Sequence, residues 1–447
     1  MSQNYYNIGI IDLQDKSLIL TNAYQEKFNN ELTTFLDVIK DRKLTNSFCK
    51  HCGSLNIHIH AYHIRTIRYL DIAGYKSIIR YKQRRFICKD CNKTFNEDCG
   101  LVEKHSTISN PSKIKILDEC RKKQSFTDIS ERVNVSHTTV TNTFDDHISK
   151  FRIKLTSILC IDEFKASTIA GTYALIVGDP ISGKILDILP SRKQDYIYDY
   201  FNKIPDEERL NVKYVVTDLF ESYRTIIKNV FWKSTHIADR FHWIRLAVEA
   251  FNKLRIRIMN SYKSLGDDEF KGKYNKYTTY YHIIKKYSRL LLVNKFSREA
   301  WFFDQTNHVY YLKKDMTLQE IIEYIVNQDK DMEEGYTLLQ ELYKIAKYSN
   351  FENAKQNILD WIDKINNTKY SIREFNQVAL TYKSWINEIV NSFIINPETK
   401  TRLTNGFIEG KNNFCKVIKR IGFGYKSFDT FRAKILYTND SNKPFKN

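Results

Sequence analysis

The sequence predicts a multidomain protein with α/β and all-α parts, on three observations. Two Cys-x-x-Cys pairs, Cys49/Cys52 and Cys88/Cys91, bracket an alternating basic segment. From residue 155 onward come short apolar runs rich in β-branched residues. Proline then vanishes between Pro205 and Pro397, which permits long helices, since an interior proline costs about 3 kcal/mol. The expected order is a zinc-ribbon-like segment, a small helical domain, and an α/β domain interrupted by a largely helical insertion.

Bulk properties narrow the function. The 447 residues have room for two or three domains. A formal charge of +18 points to a polyanionic partner, nucleic acid before membrane, because no long basic amphipathic helix dominates. No run approaches the roughly 18 apolar residues of a membrane span. The opening "MSQNYYNIGIIDLQDK" lacks the basic-then-apolar pattern of a secretory leader, so a cytoplasmic protein is expected. Eight cysteines crowded unevenly do not make a disulfide framework.

Residues 1–45 show mixed polarity, with one helical stretch expected around "NNELTTFLDVIKDRK". In 46–105, "NIHIHAYHIRTIRYL" and "KSIIRYKQRRFIC" alternate with period two and read as strands joining the Cys-x-x-Cys turns. Four thiolates at such tips can close a tetrahedral structural zinc site. The 35 residues between the pairs leave room for a long strand pair, and His51, His58, His60, His63 and Cys99 are competing ligands. Lys76, Arg80, Lys82, Arg84 and Arg85 on the second strand suit phosphate contact, Arg84 and Arg85 foremost.

Residues 106–150 fit three short helices at about 112–122, 126–133 and 137–148, with Ser136 as N-cap of the third. Ile129, Val133, Val135, Val140 and Phe144 fall at helix-turn-helix spacing. The last helix of that motif enters the major groove, which makes His137, Thr138, Thr139, Thr141 and Asn142 DNA contacts.

In 151–249, "SILCIDEF", "TYALIVGDP", "KILDILPSR" and "VKYVVTDLF" read as strands, with the helix "KQDYIYDYFNKI" before the fourth. Residues 250–395 read as a helical body, and 396–447 as the returning part of the α/β domain. Asp162 and Asp218 each end an apolar strand. Two close carboxylates repel unless a divalent cation sits between them, which is the chemistry of two-metal phosphoryl transfer. That chemistry needs a third carboxylate, and "TNGFIEGKNNFCKVIKR" supplies Glu409. At 100° per residue, Glu409, Asn413, Lys416 and Arg420 share one face, with Phe407, Phe414, Ile418 and Ile421 opposite. Glu163 should face away from Asp162, and Asp179 and Asp187 look like loop acids.

These residues resemble the DDE insertion-sequence transposases of the IS-L-three group, over roughly residues 45–440. The likeness rests on the Cys pairs, "FTDISERVNVSHTTV", "IDEF", "VVTDLFESY", "ADRFHWIR" and "NGFIEGKNNFCKVIKRIGFGYKSF". It implies a zinc-binding segment, a helix-turn-helix, and an RNase H-like catalytic domain divided by a helical insertion. It implies Asp162, Asp218 and Glu409 as the magnesium (or manganese) triad, with Asp239 and His242 supporting it. It further implies strand cleavage and transfer at terminal inverted repeats, by a homodimer on paired DNA ends of a bacterial nucleoid. Lys411, Lys416, Lys419 and Arg420 would hold DNA near the cut. A DNA-binding protein with an inactive core, and a nuclease without strand transfer, are the alternative readings.

Overall fold

The computed structural model describes residues 17–44, 48–148, 153–263, 278–297, 302–368 and 372–439. Two compact units emerge: residues 1–151 with 417–447, and residues 152–416. Among the described residues, no helix is long and apolar enough to cross a membrane.

The first unit opens with a hairpin of β1 (Leu18–Phe28) and β2 (Glu31–Lys40). Asn29 and Asn30 close it with positive φ of 50° and 66°, the backbone of a two-residue hairpin turn. The helix expected around residues 29–43 is therefore strand. β2 is central, flanked by β1 and by β4 (Tyr75–Cys88), and it buries Thr33, Thr34, Phe35 and Leu36 consecutively. Burial on both faces erased the alternation that would have marked a strand. β3 (Ile57–Ile72) and β4 form a long antiparallel hairpin, and the short β5 (Thr94–Asn96) adds to β4.

Three helices follow: α1 (Asn110–Cys120), α2 (Phe126–Val133) and α3 (His137–Ile148). Ser125 and Asp128 form a capping box on α2, Asn134 ends it at φ 52°, and Ser136 Oγ accepts from Thr139 N at the start of α3. Ile116, Ile129, Val140 and Phe144 make their shared core.

The second unit contains β6 (Ile158–Thr168), β7 (Gly171–Asp179), β8 (Lys184–Leu189), α4 (Gln194–Asn202), α5 (Asp206–Leu210), β9 (Tyr214–Thr217), α6 (Glu221–Val230) and β10 (Thr235–Ala238). The strand order is β10-β9-β6-β7-β8. β6, β7 and β8 run antiparallel in succession, whereas β9 and β10 run parallel to β6. Phe201 of α4 and Ile226 and Val230 of α6 share one core with Leu159, Val177 and Val215 of the sheet.

A helical body follows, formed by α7 (Arg240–Ser261), α8 (Thr279–Lys286), the hairpin of β11 (Thr306–Val309) and β12 (Lys314–Thr317), α9 (Leu318–Asn327), α10 (Lys330–Tyr348), α11 (Ala354–Asn367), α12 (Asn376–Ser384) and α13 (Ile386–Asn391). Its core includes Trp243, Phe251, Leu338, Leu342, Trp361, Tyr382 and Trp385. The helix begins at Arg240, so the expected boundary at residue 250 falls inside α7. α14 (Gly406–Ile421) and α15 (Phe428–Asn439) are the last elements among the described residues. α15 packs on the three-helix cluster rather than on a sheet. Its buried Lys434 donates to the carbonyls of Cys120 and Lys122, capping the C-terminal end of α1.

Candidate active site and metal centre

The sheet brings three acids to one end. β6 and β9 pair in parallel register through Ile158↔Tyr214, Leu159↔Val215 and Cys160↔Val216, so two steps further Asp162 stands level with Asp218. β10 and β9 end their pairing at Ala238↔Thr217, and Asp239 N donates to Thr217 O at 2.8 Å. Asp239 thereby joins the same row. The carboxyl ends of β9 and β10 thus meet the middle of β6, which runs on to Thr168, and ligands bind at such strand ends in open α/β sheets.

Each acid has a distinct environment. Asp162 is 9% exposed, and its carboxylate accepts from Glu163 N (2.7 Å) and from Asn412 Nδ2 (2.8 Å). Burial, then the charge of Asp218, pushes its pKa up to about 6. Asp239, also buried, is raised by desolvation and opposed by the Asn405 N–H that it accepts at 2.8 Å. His242, in the first turn of α7, stands 3.0 Å from Asp218 Oδ1 and 3.9 Å from Asp239 Oδ2. Burial alone would lower its pKa, but the hydrogen bond and charge of Asp218 outweigh burial and raise it.

Glu409 lies in the first turn of α14 and is exposed. The buried stripe of that helix is Ile408, Asn412, Cys415 and Ile418, while Phe407, Phe414 and Ile421 are half-buried. Gly178 of β7 leaves room for Phe407, since a Cβ there would lie 2.7 Å from its ring. The second asparagine of the "KNNF" pair was expected beside Glu409, but it is the first, Asn412, that reaches Asp162.

The other acids divide. Glu163 lines a hollow of about 360 Å³ together with Asp218, Phe220, His242 and Arg245, and it pairs with Arg192 at 2.5 Å. Asp187 is a buried strand residue that accepts from Tyr200 OH and Ile188 N, not a loop acid. Asp179 does shape a turn, accepting from Ile181 N and Ser182 Oγ.

In the first unit the four cysteine sulfurs of Cys49, Cys52, Cys88 and Cys91 lie within 4.8 Å of one another. The contacts Cys49–Cys91 (3.7 Å) and Cys52–Cys88 (3.6 Å) match the roughly 3.8 Å edge of a tetrahedron with Zn–S bonds of about 2.3 Å. Each pair is followed by a left-handed residue, Gly53 (φ 75°) or Asn92 (φ 55°), which turns the chain back over the sulfurs. The long gap is the β3–β4 hairpin, which returns Cys88 to a position opposite Ile57. Among the described residues, His51, His58, His60, His63 and Cys99 lie outside this cluster.

The expected DNA contacts divide. Arg84 is buried in an ion pair with Glu97 (2.7 Å), whose other oxygen accepts from Tyr81 OH, so no phosphate can reach it. Arg85, His137, Thr138 and Asn142 are exposed and Thr139 is half-buried, whereas Thr141 is buried and bonds back to His137 O. On α14, Lys416 and Arg420 are exposed and Lys411 and Lys419 half-buried.

Residues 159–435, more than half of the chain, match the ISL3-group DDE family described as "Transposase". The chain belongs to this family of DDE transposases. Residues 46–91 of the transposase match the zinc-finger of transposases IS204/IS1001/IS1096/IS1165, a span holding all four cysteines. Similar to it is the transposase for insertion sequence element IS1001 from Bordetella parapertussis, 22% identical over 401 residues, 87% of each chain. The protein is a DNA transposase with a structural zinc ribbon, and its family works with a divalent metal at the catalytic site.

Proposed function

We propose that Asp162, Asp218 and Glu409 are the metal-binding carboxylates of this transposase, on an RNase H-like core. The observation that carries the reading is the shared register of Asp162 and Asp218 on neighbouring parallel strands. Three antiparallel strands followed by two parallel ones support the RNase H-like assignment. In this reading the core comprises the sheet of β6–β10 with α4 to α6, and the acidic helix α14, with the helical body that starts at Arg240 inserted between them. The raised Asp162 pKa fits a cation site, because crowded buried carboxylates need positive charge beside them.

The reaction is in-line attack on phosphodiesters, first by water at the element end and then by the freed 3′-hydroxyl at the target. Magnesium or manganese ions, when bound, activate the attacking oxygen and offset charge on the leaving one. Asp162 and Asp218 hold one side of the site, and His242 keeps Asp218 oriented. Glu409, open to solvent, completes the carboxylate set. Arg85 and the exposed residues of α3 recognise terminal inverted repeats, while Lys411, Lys416, Lys419 and Arg420 track the backbone near the cut. Two DNA ends call for a homodimer, acting on cytoplasmic nucleoid DNA.

Cleavage of a labelled element end with magnesium tests the reading. Wild type should nick the end and join it to target DNA, and Asp218→Ala should bind without nicking. Binding without nicking by the wild type would sink the assignment.

A further inference from the structure

We propose that Asn405 and Asn412 are positioning residues that lock the helix carrying Glu409 onto β6, so that the Glu409 carboxylate faces the Asp162 end of the sheet. The inference rests on the carboxylate assignment above and deepens it.

Asn405 immediately precedes α14, and Glu409 and Asn412 follow on the helix three residues apart, close to one another around its axis, with Asn412 buried and Glu409 exposed. Asn405 Nδ2 donates to Ile161 O at 3.3 Å, and its backbone N–H donates to Asp239. Asn412 Nδ2 donates to Asp162 Oδ2 at 2.8 Å and to Glu163 O at 3.4 Å. The two amides thus grip three consecutive residues of β6, with Glu409 between them on the helix. A carboxylate only accepts, so the Asn412 nitrogen must face Asp162.

Packing alone does not require these amides. Asn405 and Asn412 are 3% and 9% exposed, and both side-chain oxygens are buried without a hydrogen-bond partner. Leucines would bury that surface with no orphaned acceptor. Ile408, Cys415 and Ile418 form an apolar stripe that can slide or roll over a sheet, and a roll of one residue swings Glu409 by about 100°. Directional bonds to β6 remove that freedom. Asn412 also fixes the Asp162 carboxylate plane, since its second oxygen is held by Glu163 N, leaving one lone pair on each oxygen for a cation.

Cleavage of a labelled element end across a magnesium titration tests this, using full-length wild type, Asn412→Leu, Asn412→Ser and Asp218→Ala. Asn412→Leu should cleave about ten- to a hundred-fold more slowly, with its magnesium midpoint displaced upward and end binding retained. Asn412→Ser, smaller and polar, should show the same displaced midpoint and serves if the leucine variant does not fold. A wild-type rate and midpoint in the variants, with Asp218→Ala inactive, would overturn the positioning role and leave the carboxylates standing. A slower rate at an unchanged midpoint with a lowered melting temperature would reduce Asn412 to packing and overturn it equally. Cleavage by Asp218→Ala would instead strike the carboxylate assignment itself.

Discussion

His242 Nε2 lies 3.0 Å from Asp218 Oδ1, and so ties the first turn of α7 to the end of β9. Asp239, the N-cap residue of α7, has its carboxylate 3.9 Å from the same nitrogen. An imidazolium there offsets repulsion among Asp162, Asp218 and Asp239. Replacing His242 with alanine should slow end cleavage by about ten- to a hundred-fold while end binding persists. Single-turnover cleavage beside a gel-shift measurement checks it; an unchanged rate would remove His242 from the site.

Arg84 and Arg85 are neighbours with opposite expected phenotypes. Arg84→Ala leaves Glu97 buried without its cation, which should destabilise the zinc-ribbon unit by about 3–5 kcal/mol. Arg85→Ala should leave stability unchanged and lower the salt dependence of DNA binding by about one unit of slope. Denaturation and salt-titrated binding of both variants separate the two roles.

The tetrahedral sulfur cluster predicts about one zinc per chain, lost on Cys88→Ser. Elemental analysis of purified protein measures it directly. Chelation should also abolish cooperative melting of this unit, because the bound ion supplies folding free energy.

His236 gives the sheet domain an acid-side weakness. Burial, reinforced by the nearby Arg224 charge, lowers its pKa from 6.5 to about 4, and its ring nitrogen sits 2.8 Å from Thr217 Oγ1. Between those values the unfolded chain binds a proton that the folded one refuses. Stability is therefore complete above pH 6.5 and falls as pH drops toward 4, by up to about 3 kcal/mol. Trp385, edge-on to the His236 ring at 5.9 Å, provides the fluorescence signal. His236→Gln should flatten the loss between pH 7 and 5.

Much of this was legible in the residues. The helix spacing and Ser136 cap located α2 and α3 to the residue, because caps and apolar periodicity act locally. That Asp162 and Asp218 stand on neighbouring strands was legible because each follows a continuous apolar run. β10 was missed: four residues, only two of them buried, carry too little pattern, and its position depends on pairing with β9. Arg84 misled for a related reason, since its partner Glu97 lies thirteen residues away and only the β4–β5 pairing brings them together. Asn412 was overlooked because helical angles rank faces relative to one another; which face meets the sheet is decided by tertiary contacts such as Gly178 against Phe407.

Glu409 is the acid whose place depends on a helix rather than on strand register, so it bears the heaviest test. The measurement is cleavage of a labelled element end by Glu409→Gln beside wild type, in magnesium, at matched end occupancy. Wild type should cut, and Glu409→Gln should bind the end and leave it intact. Cutting by Glu409→Gln at the wild-type rate would contradict the assignment of Asp162, Asp218 and Glu409 as one catalytic set.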